Sequence, residues 1–139
     1  MILFDELEYK NGLNLFNGTP FSGIVFEKKI NGGWDEVMMI NGLETGISRE
    51  WYPSGILRSE KHMENNYVHG VFWEWNEYGE LTEESLYEFG IKVQSSKFGN
   101  NGERTEVFKI DSSDPNYENL MLYRKHRRSS FFNIPINRE

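Results

Sequence analysis

One stretch of the chain is written twice. Residues 46–69 (GISREWYPSGILRSEKHMENNYVH) and 70–93 (GVFWEWNEYGELTEESLYEFGIKV) agree at seven positions when offset by 24. These are Gly46/Gly70, Glu50/Glu74, Trp51/Trp75, Gly55/Gly79, Leu57/Leu81, Glu60/Glu84 and Glu64/Glu88. Ile47/Val71 and Met63/Tyr87 are similar in kind. A fixed period of this length confines a chain to stacking copies of one supersecondary unit.

The heptad WYPSGIL, residues 51–57, shows what the unit is. Pro53 has its φ preset for the second position of a type I turn, Ser54 tolerates the third, and Gly55 takes the left-handed conformation that follows. That spacing predicts a three-residue hairpin loop with a bulge glycine. Trp51 then faces Leu57 and Tyr52 faces Ile56, and WNEYGEL places Trp75 opposite Leu81. Neighbours along a strand point to opposite faces, so the Trp–Leu pairs line one side of a sheet.

Earlier and later copies drift. GIVFE at 23–27 matches GISRE through Gly23/Gly46, Ile24/Ile47 and Glu27/Glu50, with turns expected at Asn31–Gly33 and Asn41-Gly42. Asn11-Gly12 and Asn17-Gly18 lie before it; Phe98, Asn100–Gly102 and the run Val107, Phe108, Ile110 lie after it. The expectation is a mainly β, single-domain antiparallel β-meander of about four stacked hairpins over residues 1–110, with degenerate end copies that cap the stack.

These residues carry a resemblance. Trp51, Gly55, Leu57, Glu60 and Gly70 in one unit, and Trp75, Gly79, Leu81, Glu84, Tyr87 and Gly90 in the next, resemble the variant MORN (membrane occupation and recognition nexus) repeat. Its bacterial form reads aromatic-x-x-x-Gly-x-Leu-x-x-Glu-x-x-Tyr-x-Asn-Gly-x-x-x-Gly. The resemblance covers roughly residues 9–110 and departs at Met63 for the tyrosine and at Asn65-Asn66 for Asn-Gly. It implies stacked β-hairpins. Small bacterial proteins of this kind resemble antitoxins or immunity proteins encoded beside secreted toxins.

Composition narrows the rest. There is no cysteine, so disulfide frameworks and thiolate metal sites are excluded. The opening MILFDELEYKNG has neither a basic leader nor a long apolar run, which reads as a cytoplasmic chain. Aromatic residues make up 15% of a chain this polar, too many for disorder.

After Asp111 the texture changes, and residues 111–139 read as a separate short C-terminal helix and tail. Asp114 as N-cap, Pro115 at the first helical position and basic residues further on favour a helix, with Tyr117, Leu120, Met121 and Arg124 on one face. That stripe is expected to dock on the sheet. The sharper alternative is a partner- or nucleic-acid-binding arm using Arg124, Lys125, Arg127 and Arg128. The net charge of −7 opposes nucleic acid. FFNIPINRE reads as an ordered extension or a frayed end.

No catalytic constellation appears. His62, His69 and His126 are scattered, glycines sit in turns rather than in a phosphate loop, and no cofactor or metal is implied. Charge is the informative feature. Between His62 and Ile91 there are seven glutamates and no lysine or arginine. Trp73 and Trp75 share one face and Phe72 and Tyr78 the other; one face is expected to be core, leaving the other aromatics as anchors. A solvated strand face is the plain explanation of the acids. The sharper one is steering of a basic protein partner onto Glu74, Glu77, Glu80, Glu83, Glu84, Glu88, Trp73, Trp75 and Tyr78.

The expected function is therefore a non-catalytic protein-binding module, an antitoxin or immunity protein that neutralises a basic toxin by occlusion. The alternatives are a scaffold or membrane-associated repeat, disfavoured because anionic lipid attracts lysine and arginine, and a structural subunit of a larger assembly.

Overall fold

The computed structural model describes residues 1–132, with side chains through 127. Eight antiparallel strands form the meander: β5 (Gly23–Lys28), β6 (Trp34–Ile40), β7 (Leu43–Trp51), β8 (Leu57–Glu64), β9 (Tyr67–Trp75), β10 (Leu81–Glu88), β11 (Ile91–Phe98) and β12 (Arg104–Lys109). Each strand pairs with the next in sequence.

Four loops repeat one geometry. In each, an N–H donates to the carbonyl four residues on, and a glycine N–H donates back to the first residue: Lys29 with Gly33 and Gly32, Tyr52 with Ile56 and Gly55, Asn76 with Glu80 and Gly79, Gly99 with Glu103 and Gly102. All four donating glycines have φ between 77° and 94°, as the WYPSGIL reading requires. Trp51 pairs with Leu57 and Trp75 with Leu81, as expected. At the opposite end the strands turn through Asn41-Gly42, Asn65-Asn66 and Phe89-Gly90, with positive φ at both residues of each pair. That is the two-residue hairpin turn whose twist matches its strands.

The meander begins at Gly23, not at the N terminus. β1 (Ile2–Leu3) pairs in parallel with β5, a 3-10 turn follows at Phe4–Glu6, and β2 (Glu8–Lys10), β3 (Leu13–Phe16) and β4 (Thr19–Pro20) make a separate small sheet. The physical reason is capping. Val25, Val37 and Met39 form the buried cluster of the first hairpin, and Ile2, Phe4, Leu7 and Phe21 pack against it.

Beyond this cluster the sheet is a single layer except where the C-terminal helix docks on one face near Glu64 and Glu88. The expectation that one whole face is core is corrected: the only other buried hydrophobic residues among those described are Val93 and Leu120. Six of the seven antiparallel pairings carry a register shift, the exception being β5–β6. Such bulges increase local twist.

The C-terminal helix, α1 (Tyr117–Phe132), is longer than the sequence suggested, continuing past Arg127 and Arg128. The Asp114 carboxylate accepts from the Asn116 N–H at 2.8 Å in the turn that leads into it. Leu120 is fully buried and Tyr117, Met121 and Arg124 are half-buried, so the expected stripe is the docked one. Residues 133–139 of the tail lie outside the described residues.

Candidate protein-binding surfaces

Cross-strand register sorts the side chains into two faces. On the first, which we call the serine face, one row runs Val25, Val37, Ser48, Lys61, Phe72, Ser85, Ser95, Phe108 across all eight strands. The neighbouring row runs Glu27, Asp35, Glu50, Ser59, Glu74, Glu83, Lys97, Glu106. It places like charges directly opposite at Glu27/Asp35, Asp35/Glu50 and Glu74/Glu83, an arrangement that costs stability.

Part of that cost is offset locally. Lys29 bonds to Glu50 and lies 3.4 Å from Asp35; Arg58 lies 3.7 Å from Glu50; Lys92 bonds to Glu83 at 2.7 Å. Burial pushes the Glu50 and Glu83 carboxyls up, but the hydrogen bonds and charges of Lys29 and Lys92 win and hold both below the usual range. Glu27 and Glu74 form no ion pair among the described residues. Beside the row a hollow of about 220 Å³ is lined by Glu27, Asp35, Glu44, Ser48, Glu50 and Lys61. Burial raises the Glu44 carboxyl there, against a weaker pull from Lys61.

The tryptophan face carries the aromatic row. Trp34 pairs with Trp51, Trp51 with Leu57 and Trp75 with Leu81, all half-buried and all next to the four glycine loops. The next row alternates in charge: Arg49 lies 3.3 Å from Glu36 and 3.1 Å from Glu60, and the Trp73 indole N–H donates to Glu84 at 2.9 Å.

At the far end of this face sits α1. Arg124 grips Glu88 through two bonds of 2.7 and 2.8 Å, and Arg127 reaches Glu64 at 3.0 Å. The Phe89 ring packs on His69 at 4.9 Å and Tyr123 at 5.6 Å, with the Arg127 guanidinium 5.7 Å from the ring. Two of the four cations offered for a partner-binding arm are thus spent on the sheet.

The nine residues singled out from sequence do not share one surface. Glu74 and Glu83 stand on the serine face; Trp73, Trp75 and Glu84 stand on the tryptophan face. Glu77, Tyr78 and Glu80 are exposed on the loop between β9 and β10, with Glu80 held by the Asn76 amide at 2.9 Å. Glu88 is engaged by the helix. Sequence reasoning missed Glu27, Asp35 and Glu50 as members of the acidic row, and Trp34 as a member of the aromatic one, in which the Trp51–Leu57 and Trp75–Leu81 pairs were expected on one side of the sheet. The signal was present, because Glu27, Glu50 and Glu74 are repeat-equivalent and so had to fall in line. Among the described residues no group of three or more His, Asp or Glu side chains is placed to hold a metal ion, and no helix is long and apolar enough to cross a membrane. Compared with known protein families and with curated proteins, the chain matches none.

Proposed function

We propose that this protein is a non-catalytic binding module whose ligand is a basic protein, and that it acts as an antitoxin or immunity protein by covering a toxin's working surface. The observation that carries the reading is the carboxylate row Glu27–Asp35–Glu50 and Glu74–Glu83. Like charges placed opposite one another, from the edge of the capped hairpin across the uncovered strands beyond it, weaken the fold, and a basic partner would turn that cost into attraction. The tryptophan row supplies half-buried aromatic anchors of the kind enriched at binding hot spots. The antitoxin assignment rests on the resemblance to variant MORN repeats. The engagement of Arg124 and Arg127 with Glu88 and Glu64 weighs against a lipid-binding tail.

The test uses the full chain as bait in its native host, identifies the captured protein, and measures association with purified partner. Glu74→Lys is expected to slow association by about tenfold or more at low salt and far less at high salt. Glu77→Lys with Glu80→Lys probes the loop instead. An association rate that ignores all three substitutions sinks the proposal.

A further inference from the structure

The two margins of the nine-stranded sheet are built differently. At one, β1 covers the outer side of β5 through Ile2–Val25 and Leu3–Phe26. At the other, β12 rests on β11, and no described strand lies beyond it. Every residue of β12 except Phe108 is exposed.

The Ile110 N–H donates to the Val93 carbonyl at 2.8 Å, which fixes the alternation along β12. Phe108 and Glu106 direct their backbone groups inward to β11, and Val107 and Lys109 direct theirs outward, away from it. The register shift beside Lys97 makes Thr105 the extra residue of a bulge, outside this alternation. Val107 adds a side chain that is 66% exposed. An open edge of this kind is a template for another strand. Charged residues commonly guard such edges, but two of the three here are turned back onto β11. Glu106 pairs with Lys97 at 3.2 Å, and the Arg104 guanidinium lies 5.9 Å from the Phe98 ring.

We propose that β12 pairs with β12 of a second copy of this chain, antiparallel and two-fold symmetric about Val107, so that one sheet runs across both molecules. In that register Val107 faces its own copy, Thr105 faces Lys109 and Glu106 faces Phe108. The outward groups of Val107 and Lys109 then meet outward groups of the second copy, giving about four backbone hydrogen bonds at most, with Thr105 lying in the bulge. Moving the axis to Glu106 sets that carboxylate against itself. Moving it between Glu106 and Val107 opposes Arg104 to Lys109 and mismatches outward with inward groups. The strand's own charge is +1 in a chain of net −7, so two acidic molecules meet along a margin that is not acidic. Both sheet faces stay open in this dimer, so it goes beyond the binding function and does not depend on it.

Sedimentation of the full chain across a concentration series is expected to show a monomer–dimer equilibrium. Val107→Lys is expected to weaken it at least about tenfold while leaving the circular dichroism spectrum unchanged. Because the chain has no cysteine, Val107→Cys provides a direct geometric check. Opposed residues in such a pair lie about 5.5 Å apart at Cα, within disulfide reach, so mild oxidation should link two copies. Thr105→Cys should not link, since its mate lies roughly 13 Å along the strands. A chain that stays monomeric, a dimer indifferent to Val107→Lys, or equal crosslinking at 105 and 107 would each overturn the proposal.

Discussion

A single row of the serine face holds two different kinds of protein. At β5 and β6 it reads Val25, Val37 and is sealed beneath Ile2, Phe4, Leu7 and Phe21. From β7 to β11 it reads Ser48, Lys61, Phe72, Ser85, Ser95 with no element above it among the described residues. The three serines are nonetheless only 5–7% exposed, and the hydroxyls of Ser48 and Ser85 donate to the Glu36 carbonyl and the Glu83 carboxylate. Small hydroxyls fit there without needing a second layer. The first hairpin is therefore held by burial of apolar area, and the rhyming hairpins by backbone ladders, cross-strand pairs and turn glycines. The open region carries Glu50, Glu74, Glu83, Trp51 and Trp75, while Glu27, Asp35 and Trp34 of the same rows belong to the sealed hairpin.

The largest expected effect tests the sealed end. Met39 is 1% exposed, and Met39→Ala should cost about 2–5 kcal/mol by urea unfolding. Ser85→Ala, at a comparably buried position of the open region, removes the hydroxyl that donates to Glu83 at 2.9 Å and should cost only about 0.5–1.5 kcal/mol. Equal losses at the two sites would abolish the distinction.

The second effect tests whether turns and bulges hold the open hairpins. Gly46 and Gly70 occupy the same place in two repeats, with φ of 105° and 121°. A Cβ at Gly70 would lie 3.2 Å from the Cβ of His62. Gly70→Ala should cost about 1–3 kcal/mol, read as a shift of the urea midpoint with an unchanged slope. A neutral substitution would mean that the repeated glycine marks ancestry rather than conformation.

These positions show what was legible. The loop at Pro53–Gly55, the Trp–Leu pairs and the docked stripe Tyr117, Leu120, Met121, Arg124 follow from local rules of φ, pleat and helical spacing. Burial did not, because a one-layer sheet breaks the assumption that an aromatic-rich face must be core. The acidic surface was read as a stretch of sequence, whereas a sheet collects side chains across strands, so Glu74 and Glu84 part company while Glu27, Glu50 and Glu74 line up. Phe89 is the instructive exception. Its φ of 53° is strained for a bulky residue, and the corresponding turns carry Asn41 and Asn65. The ring is retained there because it packs on His69, Tyr67 and Tyr123 and anchors α1.

That anchor leads to a smaller, pH-dependent effect. The hydrogen bonds from Arg124 hold the Glu88 carboxyl below its usual range. A carboxylate depressed in the fold contributes stability above its unfolded value, about 4.3, and loses it as pH falls through the folded one. Glu50 and Glu83 behave alike; Glu44, raised by burial, works the other way and gains as it protonates. The net expectation is acid destabilisation below about pH 4.3. Arg124→Ala should cost about 1 kcal/mol at neutral pH and flatten the acid limb. An unaltered acid limb would show that Glu88 does not contribute to it.

The smallest effect on stability is the most telling for function. Glu74 faces Glu83 on one side and Ser59 on the other; it forms no ion pair among the described residues, and the one cation its charge supports is Lys92, already bonded to Glu83. Glu74→Lys replaces a like-charge opposition with an opposite-charge pair at Glu83 and adds only a weaker repulsion of Lys92, so it should leave stability unchanged or raise it by up to about 0.5 kcal/mol at low salt, with the gain fading at high salt. A residue whose replacement strengthens the isolated chain is kept for a reason outside folding. If Glu74→Lys instead destabilises, the carboxylate is structural, and the open row loses its standing as the place where a basic partner would land.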